Sequence, residues 1–228
     1  MTGQDALKRQ SAEAAVAEVR DGMVLGLGTG STAKIAVDLI GAKVAEGMHL
    51  IGIPTSEHTA AQARALGVPL GELGEHPEID LTIDGADEVH TGTLDLIKGL
   101  GGALLREKIV AAASRRMVVI VDESKLVPEL GRGARLPVEV VPFGWQATMR
   151  HLQRAGADAQ LRRDEAGAPF RTDNGNHILD CAFAIPDPAG LQARLSMIPG
   201  VVETGLFVGL ASRVIAGTAS GPRILDRT

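Results

Sequence analysis

Several short stretches of this sequence hold side chains that could bind an anion or move a proton. The first is Gly26-Leu27-Gly28-Thr29-Gly30-Ser31-Thr32, where three hydroxyls stand among glycines. Glycine permits a tight turn and a close approach of ligand to backbone, and the free N–H groups at a helix start suit phosphate or another oxyanion. Counted from Gly26, neither familiar nucleotide fingerprint fits. Ser31 stands where the dinucleotide pattern needs its third glycine, and the Gly-Lys-Ser/Thr of a P-loop is missing. The second stretch is Asp84-Gly85-Ala86-Asp87-Glu88, whose carboxylates could accept hydrogen bonds from sugar hydroxyls or hold a metal; the only histidine close in sequence is His90. The third, Lys98-Gly99-Leu100-Gly101-Gly102, offers an ammonium to a substrate anion and leads to Arg106-Glu107-Lys108. By composition alone Glu107 is one more helix-surface carboxylate. The last is Asp122-Glu123-Ser124-Lys125.

The elements between these stretches must place them. Short apolar runs at 23–27, 50–53, 81–83 and 117–121 alternate with helix-patterned segments at 4–20, 31–45, 56–66 and 102–113. Such alternation predicts a parallel sheet covered on both faces. The acidic loop at 84–88 and the segment 122–125 then fall at carboxyl ends of strands, where open α/β sheets take their ligands. Residues 122–135, with charges, Pro128 and closely spaced glycines and prolines, read as a hinge or linker. Beyond it come a strand at 136–141, a helix at 145–155, and strands near 159–162 and at 177–183 flanking the turn Asp173-Asn174-Gly175-Asn176. A helix at 191–198 and a strand at 200–207 follow. That order, β-α-β-β-α-β, is ferredoxin-like, and a last apolar run at 214–216 could return to the first sheet. The expectation is an α/β fold: a Rossmann-like parallel-sheet catalytic domain formed by 1–131 plus 208–228, with an inserted ferredoxin-like α+β domain at 132–207.

The 228 residues, 45% hydrophobic and 22% charged, are ample for a sizeable core and a second small domain. A net charge of −5 and a poverty of aromatics (four Phe, one Trp, no Tyr) argue against nucleic acid as a partner. No apolar run reaches the length of a membrane span. The polar start, MTGQDALKRQ, lacks the layout of a signal peptide, so a cytoplasmic location is expected. Cys181, the only cysteine, excludes an internal disulfide or a thiolate cluster, and its apolar neighbours predict a buried structural thiol.

The segments GLGTGSTA (26–33), IDGADEV (83–89), IKGLGGALLREKIV (97–110), VDESKLV (121–127), LPVEVVP (136–142), TDNGNHILD (172–180) and IPGVVETGLF (198–207) run in order over almost the whole chain. In that ordered set the sequence resembles ribose-5-phosphate isomerase of the A type. The resemblance implies an aldose–ketose isomerase of the non-oxidative pentose phosphate pathway, interconverting D-ribose 5-phosphate and D-ribulose 5-phosphate through an enediolate. It implies no metal, no organic cofactor, and a homodimer or homotetramer. It puts the catalytic base on Glu107, the active-site carboxylates on Asp84 and Asp87, and the catalytic lysine on Lys98. Substrate-binding positions fall on Thr29, Gly30, Ser31 and Thr32, on Gly85 and Ala86, on Gly99, Leu100 and Gly101, and on Lys125. The glycine loop departs from the family's commoner KGGGA by reading KGLGG, and the loop between Glu88 and Lys98 is one residue longer around Gly92-Thr93.

The chemistry suits these residues. One carboxylate must reach both C1 and C2 to move the proton, and the charge that grows on oxygen calls for an ammonium or backbone N–H groups. Two other readings compete. A sugar-phosphate-sensing regulator would need a helix-turn-helix, for which the roughly twenty residues before the first strand leave no room. A coenzyme A transferase shares a glycine-rich start but gives no reason for Lys98 to precede Glu107 so closely.

Overall fold

The apolar runs of the first half become strands because their leucines, isoleucines and valines are buried between covering helices. The structure, a computed structural model, describes residues 3–227. Two units emerge from the pattern of contacts: Met1–Ala86, Arg106–Leu126 and Gly209–Thr228 form one, and Asp87–Leu105 with Val127–Val208 form the other.

In chain order the first unit opens with α1 (Gly3–Val16), β1 (Val24–Leu27), α2 (Ser31–Ala45), β2 (Ile51–Pro54), α3 (Glu57–Ala65) and β3 (Leu81–Asp84). Next come β4 (Glu88–His90), β5 (Leu96–Ile97), α4 (Leu104–Ala112) and β6 (Met117–Asp122). A 3-10 turn at Glu123–Lys125 and β7 (Leu126–Val127) lead to β8 (Leu136–Val140), α5 (Trp145–Arg154), β9 (Asp158–Leu161) and β10 (His177–Ala182). Then follow α6 (Pro188–Ser196), β11 (Val201–Thr204), β12 (Leu206–Phe207), β13 (Arg213–Thr218) and β14 (Gly221–Asp226).

The first unit is built on a six-stranded sheet in the order β14-β13-β6-β3-β1-β2. Every neighbouring pair is parallel except β13 with β14. Leu25, Leu27, Ile83, Val118, Ile120 and Ile215 from the strands pack with Ala12, Ala15, Val37 and Ile40 from α1 and α2. The strand after β1 lies on one side of it and β3 on the other. The carboxyl ends of β1 and β3 therefore flank the point where the winding reverses, the place where such sheets take ligands.

The second unit holds an antiparallel sheet, β11-β8-β10-β9, in which β8-α5-β9-β10-α6-β11 runs in the ferredoxin-like order. Val138, Val140, Leu152, Leu179, Cys181, Leu191 and Leu195 form its core. A second four-stranded sheet, built of shorter strands in the order β12-β5-β4-β7, has its β12, β5 and β4 in the same unit.

The fold departs from the sequence expectation in several places. The run at 200–207 is two strands in two sheets: the chain changes sheet at Gly205, whose N–H reaches Pro137 O at 2.7 Å while its carbonyl accepts the Lys98 N–H at 2.9 Å. The short strands β4, β5 and β7, and the six-residue β14, lack the apolar alternation that would announce them. Residues 131–134, inside the expected hinge, are instead pinned, because the buried Glu88 carboxylate accepts the N–H groups of Gly131, Gly133 and Ala134 at 2.6, 2.5 and 2.8 Å. The turn at 173–176 does not close a tight hairpin. It ends a long loop between β9 and β10, tied to the buried Glu139 carboxylate by Thr172 Oγ1 and Asn176 Nδ2, each at 2.9 Å.

Candidate active site

In the first unit the turn after β1 is locked to the end of β3. Gly28 donates its N–H to Ile83 O at 3.0 Å, and Asp84 Oδ1 accepts the N–H groups of Thr29 at 3.1 Å and Gly85 at 2.7 Å. Gly28 is required by this approach: a Cβ there would stand 2.2 Å from Asp84 Oδ1 and 2.5 Å from its Cα. Asp84 itself is fully buried.

The hydroxyls of the glycine turn divide into two groups. Thr29 Oγ1 turns inward to Thr55 Oγ1 and Ser56 Oγ, both at 2.8 Å, and to Thr59 Oγ1 at 3.1 Å. Thr55 and Thr59 in turn donate to Leu27 O and Gly28 O, each at 3.0 Å. Thr29 thus braces the turn. Ser31 is exposed at the first residue of α2, with Gly30 before it at φ 112° and no side chain capping the helix. The first N–H groups of a fifteen-residue helix therefore meet no capping side chain. Lys8, on α1, places Nζ 3.0 Å from Ser31 Oγ and adds a cation to this end.

Glu107 lies in the first turn of α4 and is only 4% exposed, which corrects the helix-surface reading that composition suggested. Lys108 beside it is also buried. Arg106 bonds Glu57 at 2.8 Å, and that guanidinium holds the Glu57 carboxyl below its usual range. Lys125 closes the 3-10 turn after β6 and is half-buried. Burial works against ionisation of the neighbouring Asp122, yet hydrogen bonds from the Ser124 hydroxyl and N–H and from the Gln4 amide, with the charge of Lys125, outweigh it and keep its carboxyl below the ordinary value.

In the second unit Asp87 Oδ2 accepts the N–H of Leu100 at 2.9 Å, so the acidic loop grips the glycine-lysine loop. Lys98 is 2% exposed, and its ammonium lies 5.5 Å from the centre of the Phe207 ring. Gly99 is buried, whereas Leu100 and Gly101 face solvent. Gly85 and Ala86, in the first unit, are half-buried.

Sequence reasoning did not pick out Lys8, Thr55, Ser56 or Thr59. The pair Thr55-Ser56 immediately follows β2 and so offered a signal, namely hydroxyls at a carboxyl end. Lys8 offered none, since a lysine on an amphipathic helix reads as solvated. Among the described residues no group of three or more His, Cys, Asp or Glu side chains could hold a metal ion, and no helix is long and apolar enough to cross a membrane.

Fold and site together define a Rossmann-like α/β protein with an inserted ferredoxin-like module, presenting an open helix start and a buried carboxylate at the carboxyl edge of its parallel sheet. Residues 51–221 match the family model of ribose 5-phosphate isomerase A (phosphoriboisomerase A), and the chain belongs to that family. It is 59% identical over 222 residues to the ribose-5-phosphate isomerase A of Gloeobacter violaceus, covering 97% of this chain and 96% of that one. The Thermomicrobium roseum protein of the same name is 50% identical, with 99% and 96% covered. Among solved structures, ribose 5-phosphate isomerase A from Methanocaldococcus jannaschii superposes with a TM-score of 0.95 at 42% identity, covering 97% and 99%. A D-ribose-5-phosphate isomerase in complex with phospho-erythronic acid gives 0.96 at 39%, covering 99% and 100%.

Proposed function

We infer that this chain interconverts D-ribose 5-phosphate and D-ribulose 5-phosphate, with Glu107 as the base that takes the C2 proton and returns it to C1. The observation that carries the reading is the burial of Glu107 to 4% exposure in the first turn of α4, in a chain of this isomerase family. A carboxylate shielded from water keeps its basicity for a bound substrate.

The remaining roles follow from charge. Gly30, Ser31 and Thr32, with the open N–H groups of α2, take the phosphate, and Thr29 shapes their turn. The Lys98 ammonium and the backbone of Gly99, Leu100 and Gly101 meet the negative charge of the enediolate. Asp84 and Asp87 hold sugar hydroxyls and assist ring opening, with Gly85 and Ala86 letting the sugar approach the backbone; Lys125 adds a cation. The phospho-erythronic acid bound by one relative carries a phosphate and a carboxylate, the charge pattern that an enediolate phosphate presents.

No step of this scheme calls on a metal or an organic cofactor. We assign the catalytic role to residues 1–131 with 208–228 and treat 132–207 as the inserted ferredoxin-like domain. The protein acts in the cytoplasm as a homodimer or homotetramer, in the non-oxidative pentose phosphate pathway, without nucleic acid or membrane partners.

A coupled assay with ribose 5-phosphate tests the reading. Turnover in both directions is expected; a folded protein inert toward both sugars overturns it.

A further inference from the structure

Arg162, just after β9, grips the glycine-lysine loop from beneath. Its Nη1 donates to two successive carbonyls, Gly99 O at 2.9 Å and Leu100 O at 3.0 Å. The other edge of the guanidinium forks onto one carboxylate, with Nε on Asp180 Oδ2 at 2.9 Å and Nη2 on Asp180 Oδ1 at 2.5 Å. Such a bidentate pair fixes the plane of the guanidinium as well as its place. The side chains of Arg162 and Asp180 are only 13% and 21% exposed, so solvent competes weakly for these bonds. The Phe170 ring lies over the guanidinium at 5.8 Å, and its tip stands 2.6 Å from where a Cβ on Gly102 would be.

A trans peptide points its carbonyl and its N–H in opposite directions. Holding the carbonyls of Gly99 and Leu100 on Arg162 therefore turns the N–H groups of Leu100 and Gly101 the other way, and that of Leu100 meets Asp87 Oδ2 at 2.9 Å. The loop needs such a clamp, because Gly99 and Gly102 adopt φ of 109° and 83° and glycine resists little rotation. We propose that Arg162, oriented by Asp180, is a positioning residue that presets the Gly101 amide for the charge developing on the substrate, the Leu100 amide being taken by Asp87. This rests on the reading of 98–101 as a substrate loop. Arg162 touches no substrate; it acts through the two peptide planes, and donors fixed before the reaction need no reorganisation during it.

The test compares Arg162→Ala, Arg162→Lys, Asp180→Asn and the Arg162→Ala/Asp180→Asn double variant with the wild type. Arg162→Ala is expected to keep its circular dichroism spectrum while kcat/KM falls by about 10-fold to 100-fold, mostly in kcat. Inhibition by phospho-erythronic acid should weaken more than KM rises. A single ammonium cannot span a carboxylate and two carbonyls, so Arg162→Lys should recover little. The double variant should be no worse than Arg162→Ala alone, since both changes break one unit. Amide exchange at Leu100, whose N–H is held on Asp87, should quicken in every variant. If Arg162→Ala fails to fold, Asp180→Asn carries the same readouts with the arginine present. Unchanged kcat, inhibitor affinity and amide exchange would overturn the positioning role while leaving the isomerase reading intact. A wild type inert toward ribose 5-phosphate would overturn that reading instead, and amide exchange would still decide whether Arg162 sets the loop.

Discussion

Asp84 accepts the backbone N–H of Thr29 at 3.1 Å, so the carboxylate that ends β3 fixes the turn that ends β1. The two strands are neighbours in the sheet. A change in either residue is thus felt at both loops, and Gly28, wedged between them, is the place to break the contact.

Gly28→Ala puts a methyl 2.5 Å from the Asp84 Cα. The ends of β1 and β3 must part to admit it. We expect a loss of about 1–3 kcal/mol in urea unfolding together with a raised KM for ribose 5-phosphate. Wild-type stability and KM would show that the turn tolerates the separation.

Glu107→Gln keeps the size of the side chain but removes the carboxylate proposed as the base. The expected result is a fall in kcat of at least about 10²-fold with little change in KM. A variant that retains most of its turnover removes Glu107 from the role.

Thr32→Ala and Lys98→Ala should separate phosphate holding from charge stabilisation. Contacts to phosphate are much the same in ground and transition states, so the first raises KM. In the proposed function Lys98 faces charge that grows during the reaction, so the second is expected to lower kcat too. Equal and purely KM effects from both would refute the part given to Lys98.

A carboxylate base exchanges its proton with water, whereas a metal-assisted hydride shift would not. Prolonged equilibration in heavy water should bring deuterium into C1 of ribulose 5-phosphate and C2 of ribose 5-phosphate, and exhaustive chelation should leave the rate unchanged. Sugars free of label after many turnovers, or activity restored only by a divalent ion, would reopen the case for a metal.

Cys181 lies in the core of the antiparallel sheet, and burial pushes its thiol up to about 12. At pH 8 the native thiolate is then about one part in 10⁴. Iodoacetamide should label the protein only after unfolding. The sign of the linkage follows: the neutral thiol's contribution to stability is whole below the ordinary value of 9.0 and declines as pH rises from there toward about 12. Rapid labelling of the native protein at pH 8 would contradict this burial.

Much of the fold was legible because its signals are local. Apolar runs such as 117–121 are long enough to declare a buried strand, and the ferredoxin-like order could be read from alternating element types. The short strands were not legible: Leu96–Ile97 and Leu206–Phe207 exist as a pair only because the chain changes sheet at Gly205, a tertiary fact. Within the candidate site, residue types and strand-end positions pointed to Asp84 and the glycine turn. The inward turn of the Thr29 hydroxyl could not be foreseen, because its partners Thr55, Ser56 and Thr59 lie beyond both α2 and β2 and meet it only in the folded sheet. Arg162 was invisible for the same reason, being 62 residues from the Leu100 carbonyl it holds.

The central sheet has a bearing on how the protein is made. Strand β13 sits beside β6 and against α1, yet it is separated from α1 by nearly the whole chain. The first unit collects three separate segments, whereas most of the second is the continuous stretch Val127–Val208. On the ribosome the ferredoxin-like sheet can therefore close while β6 still exposes an unpaired edge, and that edge is covered only once residues 213–218 emerge. Nascent chains arrested before β13 should resist protease across 136–204 and remain open at 117–122, so the last parallel strand acts as the latch of biosynthesis.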